Sequence, residues 1–158
     1  MASSEKNLSS FTKKTVTDID KKVFAIIVSE WNEEVTEAMY QGAFDTLRDN
    51  GVLKENIIKK SVPGSYELPL AAQWMAQRED VHAVICIGCV IQGDTRHFDF
   101  ICDAVAQGIK DVNLKYNKPV IFGVLTPETQ QQALDRAGGI HGNKGDEAAI
   151  TAVKMLGF

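Results

Sequence analysis

The sequence predicts an α/β fold: a three-layer sandwich with helices on both faces of a central four-stranded parallel sheet. Three observations predict it. Short, almost wholly apolar runs occur at residues 23–28, 81–91 and 119–125, as in strands covered on both faces. Between them lie longer segments whose apolar residues recur every three to four positions. The two kinds of segment alternate along the chain, which with right-handed crossovers gives parallel pairing.

Each element has its own justification. Val23-Phe24-Ala25-Ile26-Ile27-Val28 is the first strand and ends at Ser29-Glu30-Trp31-Asn32. Residues 33–49 are helical in period, with Val35, Met39, Gly42 or Ala43 and Leu47 on one face, and Asn50-Gly51 gives the stop. Residues 57–62 form a second, more mixed strand. Pro63-Gly64-Ser65 turns, and a helix runs from Tyr66 to about Gln77 with Pro69 in its first turn. Residues 81–91 are the third strand. Residues 95–116 are a long helix with Phe98, Ile101, Val105, Ile109 and Val112 on one face. Residues 119–125 are the fourth strand. A short helix starts at Thr126-Pro127 and runs through Leu134 and Arg136, stopped by Ala137-Gly138-Gly139. His141-Gly142-Asn143-Lys144-Gly145 reads as a turn, and residues 146–156 as the last helix, with Ala149, Val153 and Leu156 facing in. The topology expected of this order is flavodoxin-like, in one domain over residues 1–158.

Composition narrows the function. A net charge of -4 without a basic cluster removes the electrostatic case for nucleic acid. Three cysteines, an odd count without framework spacing, suggest a reducing compartment. No apolar run approaches membrane length, and residues 1–14 carry Ser and Lys without an apolar core. A cytoplasmic protein without a signal peptide, with a flexible tail over 1–14, is therefore expected.

Ligands of such sheets sit beyond the carboxyl ends of the strands. The richest of these ends is Gly88-Cys89-Val90-Ile91-Gln92-Gly93-Asp94-Thr95-Arg96-His97-Phe98-Asp99. A glycine turn between strand and helix aims backbone N–H groups at an anion. Gly88 to Gly93 has the spacing of a nucleotide P-loop, but Asp94 holds the lysine position, which argues against a nucleoside triphosphate. Cys86 and Cys89 have C-x-x-C spacing, yet residues three apart on a strand face opposite ways, so no redox pair is expected. Thr95 and the turn amides suit a phosphate, with Asp94 expected to turn away and cap the helix. His97 has a side chain that passes protons near neutrality, although a surface or capping histidine fits the position equally. His82 and His141 lack such a setting, and no metal-ligand spacing is present.

The other strand ends add to this set. Trp31 offers a flat apolar face in a polar neighbourhood, which favours ligand stacking over a core role, with Asn32 beside it. Glu67 suits N–H groups of a heterocycle, while plain helix-start electrostatics is the commoner reason for a first-turn Glu. For Tyr66 both core and site lining remain open. Arg136 and Lys144 are candidate charge partners, although such cations are most often solvated surface. Together these describe a stacking ring, a heterocycle-binding carboxylate, an anion turn and a proton shuttle.

At this point four segments carry a resemblance. Val62-Pro63-Gly64-Ser65-Tyr66-Glu67-Leu68-Pro69, the 88–99 stretch, Phe122-Gly123-Val124-Leu125-Thr126 and Gly142-Asn143-Lys144-Gly145 resemble, in order and spacing, the 6,7-dimethyl-8-ribityllumazine synthase family. The resemblance spans nearly everything from Val23 to Leu156. It implies a transferase of riboflavin biosynthesis that condenses 5-amino-6-(D-ribitylamino)uracil with 3,4-dihydroxy-2-butanone 4-phosphate, without metal or organic cofactor. By the same resemblance Trp31 stacks on the pyrimidine, and Ser65, Tyr66 and Glu67 hold the ribityl chain. Cys89, Val90 and Ile91 meet the uracil edge through backbone groups. Asp94 and Thr95 form the phosphate turn, Arg136 pairs the phosphate and His97 transfers the proton. Phe122 comes from the neighbouring subunit, and Lys144 lies near the pyrimidine. Trp31 stands where phenylalanine is more usual, so riboflavin or product is expected to bind more tightly. Gln92 stands where many members carry arginine. The resemblance also implies a homopentamer, with a sixty-subunit shell left open, and a segment near residues 11–17 able to add a strand to a neighbour's sheet. A flavin-binding or storage protein of the same fold is the rival reading. A signalling receiver fits poorly, because the first and third strands end without its acidic residues.

Overall fold

The run Phe24–Ser29 is buried along its whole length, and so is Ala83–Cys89. Strands with no wetted face belong in the middle of a sheet, and these two pair with each other in parallel, Val28 opposite Ile87. The computed structural model describes residues 16–158. In it β1 (Phe24–Ser29), α1 (Glu33–Asp49), β2 (Ile57–Val62), α2 (Leu68–Ala76), β3 (Ala83–Cys89), α3 (His97–Tyr116) and β4 (Val120–Leu125) follow in turn. Then come α4 (Gln130–Leu134), β5 (Ala137–Gly139), β6 (Gly142–Asn143) and α5 (Lys144–Leu156), with a 3-10 turn at Ser65–Glu67 before α2.

The parallel sheet has the order β2-β1-β3-β4, the four-stranded arrangement expected from the sequence. Side-chain alternation divides the core in two. Phe24, Ile26, Val28, Ile85 and Ile87 face Val35, Met39 and Leu47 of α1 and Ala149 and Val153 of α5. Ala25, Ile27, Val84 and Cys86 face Leu68 and Ala72 of α2 and Val105 and Ile109 of α3. Each fully buried Phe or Ile contributes roughly 1.5–3 kcal/mol. The edge strands β2 and β4 are only part-buried, which explains the mixed composition of 57–62.

Several element ends differ from the sequence expectation, each for a local reason. The helix expected from Tyr66 opens as the 3-10 turn and becomes α-helical at Leu68, one residue before Pro69. The strand expected over 81–91 is shorter. His82 accepts the Val23 N–H on Nδ1 at 3.1 Å before the strand starts, and beyond it the Val90 N–H donates to the Leu125 carbonyl at 2.8 Å. The helix expected from Thr126 occupies only Gln130–Leu134, because Thr129 supplies its cap, accepting from Gln132 N–H at 3.2 Å. The 137–145 connector is more than a stop and a turn: it is an antiparallel hairpin, β5–β6, in which Gly138 and Gly142 have φ of 117° and 74°. Asn143 then caps α5 by accepting from Gly145 N–H at 2.8 Å, two residues ahead of the expected start. The tail at 1–14 and most of the segment at 11–17 lie outside the described residues; Val16 packs into the core on the α1 side.

From β1 the chain crosses outward to β2, then returns past β1 to β3 on its other side. The carboxyl ends of β1 and β3 therefore part at a topological switch point, where a crevice opens.

Candidate active site

Backbone bonds extend β1 past its last residue. Glu30 N–H donates to the Val62 carbonyl at 2.9 Å and Trp31 N–H to the Pro63 carbonyl at 3.2 Å, both at the end of β2. On the other side Asn32 donates its side-chain amide to the Cys89 carbonyl at 2.8 Å, at the end of β3. Trp31 is 73% exposed, so it is no core aromatic. A Cβ on Gly64 would lie 3.4 Å from its Cδ1, which places the indole beside the turn that follows β2.

That turn carries Ser65, Tyr66 and Glu67. Ser65 is buried against Gly88, where an added Cβ would come within 2.5 Å of the serine Oγ; the glycine lets the turn sit on the end of β3. The hydroxyls of Ser29 and Ser65 are buried and make no hydrogen bond among the described residues. Tyr66 is 60% exposed, which settles its open alternative against the core. Glu67 accepts the Gly64 N–H at 2.9 Å, so one carboxylate oxygen does serve the turn itself.

In the segment after β3, Val90 and Gln92 spend their N–H groups on the carbonyls of Leu125 and Pro127, at 2.8 and 3.0 Å. Residues 92–97 are exposed, and α3 begins at His97, two residues later than expected. Asp94 therefore does not cap it. The cap position is Arg96, without a side-chain cap bond, and the nearer Thr95 hydroxyl takes the His97 N–H at a long 3.4 Å. His97 is exposed at the first position of a helix that packs against the Ser65–Glu67 turn. Cys86 and Cys89 face opposite cores, as the strand alternation requires. Burial pushes their thiols up to about 12 and about 11, well away from thiolate chemistry.

The remaining candidates lie elsewhere. An open groove of about 660 Å³ runs along β4, between α5 and the far end of α3, and Phe122, Arg136 and Lys144 line it with Gln132 and Glu147. Phe122 is 44% exposed on this edge strand. Arg136 is tied to the Gln132 carbonyl by its guanidinium at 3.0 Å. Lys144 pairs with Glu147 at 2.5 Å, with both side chains largely buried. Glu147 escapes the sequence reading: its signal is the i,i+3 spacing, which shows only when Lys144 belongs to the helix and not to the turn its glycine-rich neighbours suggest. The crevice residues Trp31, Asn32, Ser65–Glu67, Cys89 and His97 do not line this groove. One chain thus presents two separate groups of candidates.

Comparison with known proteins bears on both. The family model described as 6,7-dimethyl-8-ribityllumazine synthase matches residues 21–158. A protein of that name from Cytophaga hutchinsonii is 62% identical over 156 residues, covering 99% of this chain and 98% of the relative. One from Flavobacterium johnsoniae is 54% identical, covering 98% of this chain and 82% of the relative. One from Parabacteroides distasonis is 50% identical, covering 100% and 99%.

Proposed function

The chain belongs to the 6,7-dimethyl-8-ribityllumazine synthase family, and we propose that its reaction runs in the switch-point crevice, completed by the β4 groove of a neighbouring copy. The chain is a transferase of riboflavin biosynthesis, joining 5-amino-6-(D-ribitylamino)uracil to 3,4-dihydroxy-2-butanone 4-phosphate to give the lumazine, phosphate and water. The observation that carries the two-copy reading is the split itself: an exposed Trp31 in the crevice and an exposed Phe122 in a groove that shares none of its residues.

In this reading Trp31 stacks on the pyrimidine, and Ser65, Tyr66 and Glu67 hold the ribityl chain. With the Val90 and Gln92 amides already bonded, Ile91 N–H and the Val90 carbonyl meet the uracil edge. Asp94, Thr95 and the exposed turn around them take the phosphate, and the neighbour's groove supplies Phe122, Arg136 and Lys144. The 5-amino group attacks the ketone and loses water to form an imine. Phosphate then leaves, with His97 moving the proton and Arg136 holding the departing anion. The ribitylamino nitrogen closes the ring and a further water leaves. Much of the acceleration comes from holding two reactive substrates in register. Glu147 keeps Lys144 aimed along the groove wall. The working form is a homopentamer in the cytoplasm, and among the described residues no helix is long and apolar enough to cross a membrane.

The test mixes purified protein with both substrates and follows lumazine absorbance together with released phosphate. Both appear in step and faster than the uncatalysed background. Sedimentation of the same sample gives the mass of five chains or a multiple of it; an active monomer would overturn the shared site.

A further inference from the structure

We propose that Asn32 is a positioning residue: by bridging to the Cys89 carbonyl across the crevice, it holds the Trp31 indole in register with the 89–91 backbone. The inference rests on the reading that Trp31 stacks on the pyrimidine.

Asn32 has φ 61° and ψ 45°, the left-handed region that side chains other than glycine seldom adopt and asparagine tolerates best. It stands at the N-cap of α1, where an asparagine ordinarily accepts a hydrogen bond from the first turn of its own helix. Here the side chain makes no cap bond. It donates instead to a carbonyl 57 positions away, at the end of a different strand. An unfavourable backbone, a forgone cap and a long-range bond meet in one residue beside the crevice. Backbone strain kept at a site is sustained where the surrounding contacts over-determine it.

What the bridge fixes is Trp31. Within its own chain the indole is 73% exposed, so packing from that chain does little to orient it. The Trp31 backbone N–H donates to the Pro63 carbonyl just past β2, and the side chain of the next residue donates to the Cys89 carbonyl at the end of β3. The tryptophan backbone is thereby strung between the two strand ends that flank β1. Cys89 is also the first residue of the segment proposed to meet the uracil edge, and Val90 is anchored beyond it to Leu125. One bond therefore sets the spacing between the stacking face and the hydrogen-bonding edge.

The test separates the bridge from the backbone. Two tryptophans are present, so in a Trp74→Phe background, excited at the red edge where tyrosine does not absorb, Trp31 is the only emitter. Asn32→Gly keeps the left-handed conformation and removes the amide. Asn32→Asp keeps the shape and sets an oxygen against the Cys89 carbonyl. In both, with circular dichroism unchanged, the fluorescence anisotropy of Trp31 falls in the ligand-free protein. KM for ribitylaminouracil rises about tenfold, the effect of one lost hydrogen bond, while KM for the butanone phosphate stays put. Unchanged anisotropy in both variants overturns the proposal, as does an equal rise in the two KM values. Trp31→Ala is the control for the stacking reading: if it leaves KM for ribitylaminouracil untouched, that reading fails, and the anisotropy still decides the bridge.

Discussion

His97 stands exposed at the first position of α3, and among the described residues no hydrogen bond or ion pair holds the ring, so its contribution is separable from the fold. His97→Ala is expected to lower kcat by about one to two orders of magnitude and leave substantial residual turnover, because positioning supplies the rest. Steady-state kinetics check this, and complete loss of activity would contradict it. Arg136→Ala is expected to raise KM for the phosphate substrate by about ten- to a hundredfold, the loss of a charge-assisted contact, with KM for the uracil little changed. His82 has a different task. Its Nδ1 accepts the Val23 N–H, and burial holds its pKa below the ordinary histidine value. A depressed folded pKa gives stability that is present above the unfolded value of about 6.5 and is lost as pH falls through the folded value. Thermal melts of His82→Gln should therefore lose part of the acid sensitivity seen below about pH 6.5 in the parent.

At the scale of elements, α1 and α5 pack tightly at Gly42. A Cβ there would run into Asp146 Oδ1 and Asn143, whose amide donates to the Ala38 carbonyl and whose carbonyl oxygen caps α5. Gly42→Ala is expected to cost about 1–3 kcal/mol in denaturant unfolding, since the cap must move to make room. Asp146 lies in the same seam. Burial raises its pKa, and Asp45 and Glu147 add to the effect. A raised carboxyl pKa means that the stabilising contribution exists below the unfolded value and is lost as pH rises through the folded one, so the cost grows towards neutral pH. Asp146→Asn should raise Tm by a few degrees at neutral pH and lose that advantage in acid, where the parent is protonated. A gain independent of pH would mean that packing, not charge, limits this seam.

At the scale of the whole molecule, the two groups of candidates make a prediction that no single-chain site shares. Trp31→Ala with His97→Ala disables the crevice. Phe122→Ala with Arg136→Ala disables the groove. Unfolded together and reassembled in equal amounts, the two double variants regain activity, because about one interface in four joins an intact crevice to an intact groove. Reassembly of either variant alone stays at its own low level. Failure of the mixture to recover, with assembly intact by sedimentation, would return the whole site to one chain.

The sequence by itself determined the main strands and helices and which residue types stand near their ends. Residues 33–49 form the helix their period requires, because the burial of Val35, Met39 and Leu47 is written into local spacing. The β1 and β3 runs are central because no charged or amide side chain interrupts either of them. The positions of Trp31, Glu67 and His97 beside strand ends and helix starts are legible for the same reason, because local pattern locates those ends. Tertiary structure alone decided what these residues touch. Asp94 does not serve as the expected cap because α3 starts only at His97, and the hairpin at 137–143 escapes the sequence because two short strands have too few residues to show a period. The Asn32–Cys89 bridge, the burial of Ser65 against Gly88 and the parting of crevice from groove follow from strand order, which brings residues 57 positions apart into contact. Local periodicity records which face of an element is buried, and it carries no information about which other element buries it.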